Sequence, residues 1–263
     1  MTWRGGASVV LLSVLVHVPA RDVIAQSTMT AEYDVRYGPL TIMALRATTE
    51  TGDGRYRTTT AAQTVGLAGV IFPWHASATT EGRMGAGGFQ PIAHRSSGEY
   101  RGQRRSVVMD YDGAGAVVAA IEPLAADDYR DAVPVTLQQD TVDPLTATLI
   151  ALASHCHGTV RVFDGRRRYD IQLADEGEAE VPGSRGAVYA GPARRCRSQI
   201  RPIAGFWRTG PQHDERPSHL DAWVASPRAA LPPIPVYLEL SNHRGTLSMH
   251  LTAVTAAASG AMK

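Results

Sequence analysis

The chain has 263 residues, 26 Lys and Arg against 25 Asp and Glu, and a formal net charge of +1. A balance so close to neutral excludes the net basic footprint that a nucleic-acid partner needs. Lys263 is the only lysine, which removes Schiff-base chemistry and lysine-bearing phosphate loops.

Met1-Thr2-Trp3-Arg4 followed by an apolar run through Val18 has the form of a secretory signal peptide. Pro19, Arg21 and Asp22 end the run short of the roughly 20 apolar residues that a membrane span needs. Val23-Ile24-Ala25 predicts cleavage after Ala25, with Val18-Pro19-Ala20 as the second choice. The expected location is therefore the periplasm. There is no cysteine near the cleavage site to take a lipid, and no later stretch is long and apolar enough to span as a helix. Loss of residues 1–25 removes Arg4, Arg21 and Asp22 and leaves the rest formally neutral.

From residue 26 the pattern has period two and is rich in Thr, Val and Tyr. Tyr33, Val35 and Tyr37 share one face of a half-buried strand, and Gly38-Pro39 turns the chain. Strands are predicted over 40–50 and 55–64, joined by Thr51-Gly52-Asp53-Gly54, then over 74–83, 90–100, 104–112 and 115–122. Short connections make these neighbours antiparallel. The stretch 65–74, Val-Gly-Leu-Ala-Gly-Val-Ile-Phe-Pro-Trp, is the most apolar of the mature chain and reads as a glycine-broken loop. Such a loop either covers an apolar cavity or plugs a barrel end with Phe72 and Trp74. Leu67, Val70, Ile71, Phe72 and Trp74 are thus candidates for an apolar ligand site or lid.

A Pro- and Asp-rich connection, 123–142, reads as a long exposed loop. Asp143 as N-cap, Pro144 at the first helical position and apolar residues at helical spacing predict a helix over 143–152. Strands resume with a hairpin around Asp164-Gly165 and continue near 187–201, 219–226, 234–241 and 245–254. Residues 26–254 read as one domain and 255–263 as a fraying tail. The expected class is mainly β, a large curled antiparallel sheet or incomplete barrel with one helix packed on or in it, because a sheet of a dozen strands must curl or close.

Cys156 and Cys196 are the only cysteines and, in an oxidising compartment, pair. They lie 40 residues apart, a loop worth about 4 kcal/mol in the chain-entropy account. His155-Cys156-His157 offers no metal site, since neighbouring side chains of an extended chain diverge and no further ligand stands at the right spacing.

Other candidates have plain readings. Phe206 and Trp207 form a second glycine-linked aromatic pair and join the apolar-site candidates. Arg166, Arg167 and Arg168 can fork onto a phosphate or carboxylate, though a solvated turn is the expectation, as it is for Arg101, Arg104 and Arg105. Asp175, Glu176, Glu178 and Glu180 match no calcium-loop pattern. His75, His94, His243 and His250 fall in strands without a nominated partner. Nucleophile-elbow, zinc-protease and nucleotide-loop motifs are absent, so neither enzyme nor cofactor is expected.

Seven stretches, among them Tyr33-Asp34-Val35-Arg36-Tyr37-Gly38, Phe72-Pro73-Trp74, Val142-Asp143-Pro144-Leu145-Thr146 and Val162-Phe163-Asp164-Gly165-Arg166-Arg167, stand in an order that resembles the domain of unknown function 3108 family of exported bacterial proteins. The resemblance covers roughly 30–254. It implies a curled antiparallel sheet around a helix, similar to periplasmic lipoprotein carriers, and transfers no catalytic residue. The function it favours is non-enzymatic carriage of an apolar or amphipathic envelope molecule. The alternative is docking on an envelope protein partner without cargo.

Overall fold

The structure, a computed structural model, describes residues 26–100, 102–113, 117–122, 131–206, 219–242 and 245–259. The expected signal segment 1–25, Trp207, Arg101 and His243 lie outside the described residues.

Thirteen strands are present: β1 (Gln26–Tyr37), β2 (Leu40–Gly52), β3 (Arg55–Thr64), β4 (Trp74–Gly85), β5 (Gly88–Tyr100), β6 (Gln103–Tyr111), β7 (Val117–Glu122), β8 (Gly158–Phe163), β9 (Arg168–Val181), β10 (Gly191–Ala204), β11 (His219–Ala225), β12 (Ile234–Asn242) and β13 (Gly245–Ser259). Helices α1 (Gly66–Ile71), α2 (Val135–Gln138) and α3 (Pro144–Ala153) interrupt them. All strands belong to one antiparallel sheet in the order β7-β6-β5-β4-β3-β2-β1-β13-β12-β11-β10-β9-β8. Two meanders, β1–β7 and β8–β13, are thus joined back to back where β1 pairs with β13.

The sheet curls without closing. β7 and β8 are its edges, and no ladder joins them among the described residues. Side chains bridge the gap instead: Phe163 of β8 packs with Val107 and Met109 of β6, and Arg166 Nη2 donates to the Glu122 carbonyl of β7 at 2.8 Å. Val142 covers part of the β8 edge, donating to the Arg161 carbonyl at 2.9 Å and accepting from Phe163 N–H at 3.0 Å. β-Bulges, among them those at Glu32/Tyr33, Glu81/Gly82 and Trp223/Val224, bend the strands as curling requires. At Gly82 a Cβ would lie 2.3 Å from the Tyr56 ring, so only glycine lets that buried tyrosine cross the strand.

The outer face of β1–β5 is built for water. Thr30, Thr48, Thr59 and Thr79 stand opposite one another across four strands, flanked by the ion pairs Arg46–Glu32 and Arg57–Glu81. That is the reverse of a lipid-facing band. Among the described residues no helix is long and apolar enough to cross a membrane.

Three clusters form the core among the described residues. The largest gathers Ala31 and Tyr33 of β1 with Trp223, Val236, Leu251 and Val254 of β11–β13. A second surrounds α3 with Val160, Val162 and Leu173 and contains Cys156 and Cys196, which form the expected disulfide and tie the end of α3 to β10. The third is the edge-to-edge contact around Phe163.

Several expectations change. The loop expected over 65–74 contains the short helix α1. The connection expected to be exposed over 123–142 has buried Val133 and Thr141 and the short helix α2, with 123–130 outside the described residues. The tail expected to fray from 255 continues β13 to Ser259, because 255–259 pair with the first residues of β1; a small-residue run still supplies a full backbone ladder.

Candidate functional site

The site is built around the start of α3. Asp143 is its N-cap, with Oδ1 accepting from Leu145 N–H at 2.9 Å and Thr146 N–H at 3.1 Å. The same carboxylate leaves the helix and reaches the sheet. Thr80 Oγ1 of β4 donates to Oδ1 at 2.7 Å, and Thr146 Oγ1 donates to Oδ2 at 2.6 Å. His94 of β5 brings Nδ1 to 2.7 Å from Thr80 Oγ1 and 3.3 Å from Asp143 Oδ1. Tyr56 of β3 contacts Thr146 Oγ1 through its hydroxyl at 2.7 Å.

These contacts fix the direction of each bond. Thr80 and Thr146 each have one hydroxyl proton, and both protons go to the carboxylate. Tyr56 therefore donates to Thr146, and His94 carries its proton on Nδ1 and donates to Thr80. All five residues are buried, and Thr80, Asp143 and Thr146 have no exposure. Burial alone would raise the Asp143 carboxyl. The hydrogen bond and charge of His94, with the hydroxyls of Thr146 and Thr80, outweigh it and hold the carboxyl below the usual carboxylate range. Burial, with the negative charge of Asp143 adding to it, pushes the hydroxyls of Tyr56 and Tyr111 far above their ordinary range.

The network clamps one end of α3 against β3, β4 and β5. Its histidine–carboxylate pair has the components of a general base. Both hydroxyls that touch the carboxylate are fully buried, so neither can meet a solute.

Beside the clamp a cleft of about 530 Å³ opens on the inner face. Facing residues run in rows across β3, β4 and β5. One row, Thr58, Thr80 and His94, is covered by α3. The next two, Thr60-Ala78-Ser96 and Ala62-Ala76-Gly98, carry small side chains, and they form the cleft floor. Trp74, Val107 and Leu145 wall it, His94 borders it, and Arg105, Arg166 and Arg167 stand at its margin.

Of the apolar candidates among the described residues, only Trp74 reaches this cleft. Leu67, Val70 and Ile71 lie on α1 and Phe72 caps its end; all four are exposed, Leu67 and Val70 at 77% and 79%. They neither roof the cleft nor plug the sheet. Gly69 gives that helix its close seat on β3, since a Cβ there would lie 2.9 Å from the Thr64 carbonyl. Phe206 packs edge-on against Tyr169 at 6.3 Å, away from the α1 residues.

The turn 164–167, expected to be solvated, is folded inward at Gly165, while Arg167 is exposed. A Cβ at Gly165 would meet Val107 at 2.2 Å, so glycine permits the close approach. Arg167 pairs with Asp164 at 2.7 Å, and Arg168 is 4% exposed and bound to Asp170 at 2.7 Å. Arg104 and Arg105 are exposed, as expected. The acidic run is divided among arginines: Asp175 pairs with Arg194, and Glu176 lies 3.8 Å from Arg197. Among the described residues no group of three potential ligands could hold a metal. His250 packs at a tilt against Tyr237, ring centroids 4.9 Å apart, and His75 is exposed.

The clamp was missed in the sequence because its members are up to 90 residues apart, as for Tyr56 and Thr146. The available signal was Asp143 itself, a buried cap whose second oxygen needs a partner.

The sequence matches the family described as "Protein of unknown function (DUF3108)" over residues 32–252. The chain belongs to this family. The fold is similar to the crystal structure of a beta-barrel-like protein of domain of unknown function DUF1849 from Brucella abortus, with TM-score 0.50 and 11% identity over 89% of this chain and 99% of that one. A hypothetical protein from Chlamydia trachomatis aligns over 88% of this chain and 89% of its own, at 8% identity and a TM-score of 0.30, too low to bear on the fold. No curated protein matches the sequence.

Proposed function

We propose that this family member is an exported, non-enzymatic periplasmic protein that holds an apolar or amphipathic molecule in the cleft beside α3. The observation that carries the reading is the row pattern of the inner face. Elsewhere that face is filled by large side chains such as Tyr33 and Leu251, whereas Ala62, Ala76, Ala78 and Gly98 leave space next to an intact clamp. A volume of about 530 Å³ falls within the range of ligand sites, and Trp74, Val107 and Leu145 give it apolar walls. A segment of a lipid-like chain fits such a space, with a polar end directed to the margin where arginines stand.

The test is native mass spectrometry of protein purified from its own periplasm, followed by organic extraction of any bound mass. A discrete adduct that extracts as a lipid supports the reading. A clean apo mass, repeated after incubation with envelope lipid extract, rejects it and favours the alternative of docking on a protein partner without cargo.

A further inference from the structure

Helix α1 is inside out. Its small residues, Ala68 and Gly69, are turned toward the sheet, while Leu67, Val70 and Ile71 face water at 77%, 79% and 59% exposure. A short surface helix normally does the opposite, burying its large apolar side chains. The seat explains the small face, since Gly69 lies against the Thr64 carbonyl and Val65 N–H is bonded to Ile42 O at 3.0 Å. Nothing in that seat requires the large outward residues. Leu40, two residues before Ile42 on β2, adds a fourth apolar side chain at 62% exposure.

We infer that this ridge is a membrane-contact surface, and that its partner is an anionic phospholipid bilayer. Three observations select that partner. The ridge is made of few side chains, too few to supply the roughly 800 Å² per partner of a stable protein interface, whereas a bilayer takes up apolar side chains singly at its headgroup boundary. The charge beside it is net positive: a pocket lined by Gly69, Trp74, Glu99 and Gly102 places α1 next to the β5–β6 turn, where the exposed Arg104 and Arg105 outnumber the one carboxylate, Glu99, that stands opposite Arg104 in the ladder. Arginine at headgroup level is drawn to anionic lipid. Finally, Trp74 lines both this pocket and the inner cleft, so docking by α1 brings the cleft margin to the bilayer surface. The inference deepens the carrier reading and rests on it for its purpose, giving the amphiphile a route between bilayer and cleft.

The experiment is flotation of the mature protein with vesicles of phosphatidylethanolamine and phosphatidylglycerol, and in parallel with phosphatidylcholine vesicles. The protein floats with the anionic vesicles and less with the neutral ones. Leu67→Asp with Val70→Asp lowers the bound fraction about tenfold or more, and Arg104→Gln lowers it about fivefold, the equivalent of about 1 kcal/mol for the one charge lost near the surface. All three positions are exposed, so the variants keep the wild-type circular dichroism and any cleft adduct seen by native mass spectrometry. Failure of the wild-type protein to float, or equal flotation of the double variant, overturns the docking inference. If an adduct is retained in that case, the carrier reading stands without it. Flotation with no adduct leaves the docking and rejects the carrier.

Discussion

Asp143→Ala tests whether the clamp is a mainstay of the fold. The substitution removes an N-cap, which alone costs about 1 kcal/mol. It also takes the acceptor from the hydroxyls of Thr80 and Thr146 and from the His94–Thr80 pair, all of them buried. A buried donor left without an acceptor costs about 1–3 kcal/mol, and two hydroxyls lose theirs at once. These terms overlap, so the expected total is about 3–5 kcal/mol. A typical domain has about 5–15 kcal/mol in all. With a urea slope of about 3 kcal/mol/M, the midpoint should fall by about 1–1.7 M, followed by tryptophan fluorescence at neutral pH with the disulfide intact. Thr148→Ala, on the exposed side of α3, serves as the control and should move the midpoint little. A shift for Asp143→Ala no larger than the control's would refute the reasoning, because the network would then be ornamental to stability.

Three further outcomes are expected. Because the Asp143 carboxyl is held below its ordinary range when folded, its contribution is present above the unfolded value of about 3.9 and is lost as pH falls through the lower folded value; Asp143→Asn should flatten the acid limb of stability against pH. Cys156→Ala with Cys196→Ala removes a link across 40 residues and should cost about 4 kcal/mol by denaturant titration; a change under about 1 kcal/mol would show that α3 is held by the clamp alone. Ala78→Phe, on the cleft floor, should abolish any extractable adduct while the urea midpoint stays near wild type, and an unchanged adduct would place the ligand elsewhere.

Local chemistry was legible in the sequence. Period-two patterning marked the strands, Asp143-Pro144 marked the start of α3, and two cysteines in a chain expected to be exported marked the disulfide, because each signal is set by neighbours within a few residues or by elimination. The seven motifs likewise placed the chain in its family. What the sequence did not disclose is which strands meet. The β1–β13 pairing joins residues such as Gln26 and Ser259, and the clamp joins Tyr56, Thr80 and His94 to Asp143 and Thr146. Such contacts depend on register and curl over the whole sheet, which no local pattern encodes. The same holds for the apolar stretch at 65–74: composition announced that it mattered, but only the tertiary structure decided that Trp74 turns inward to the cleft while Leu67, Val70 and Ile71 turn outward, because the close seat of Gly69 on β3 leaves no room for them beneath the helix.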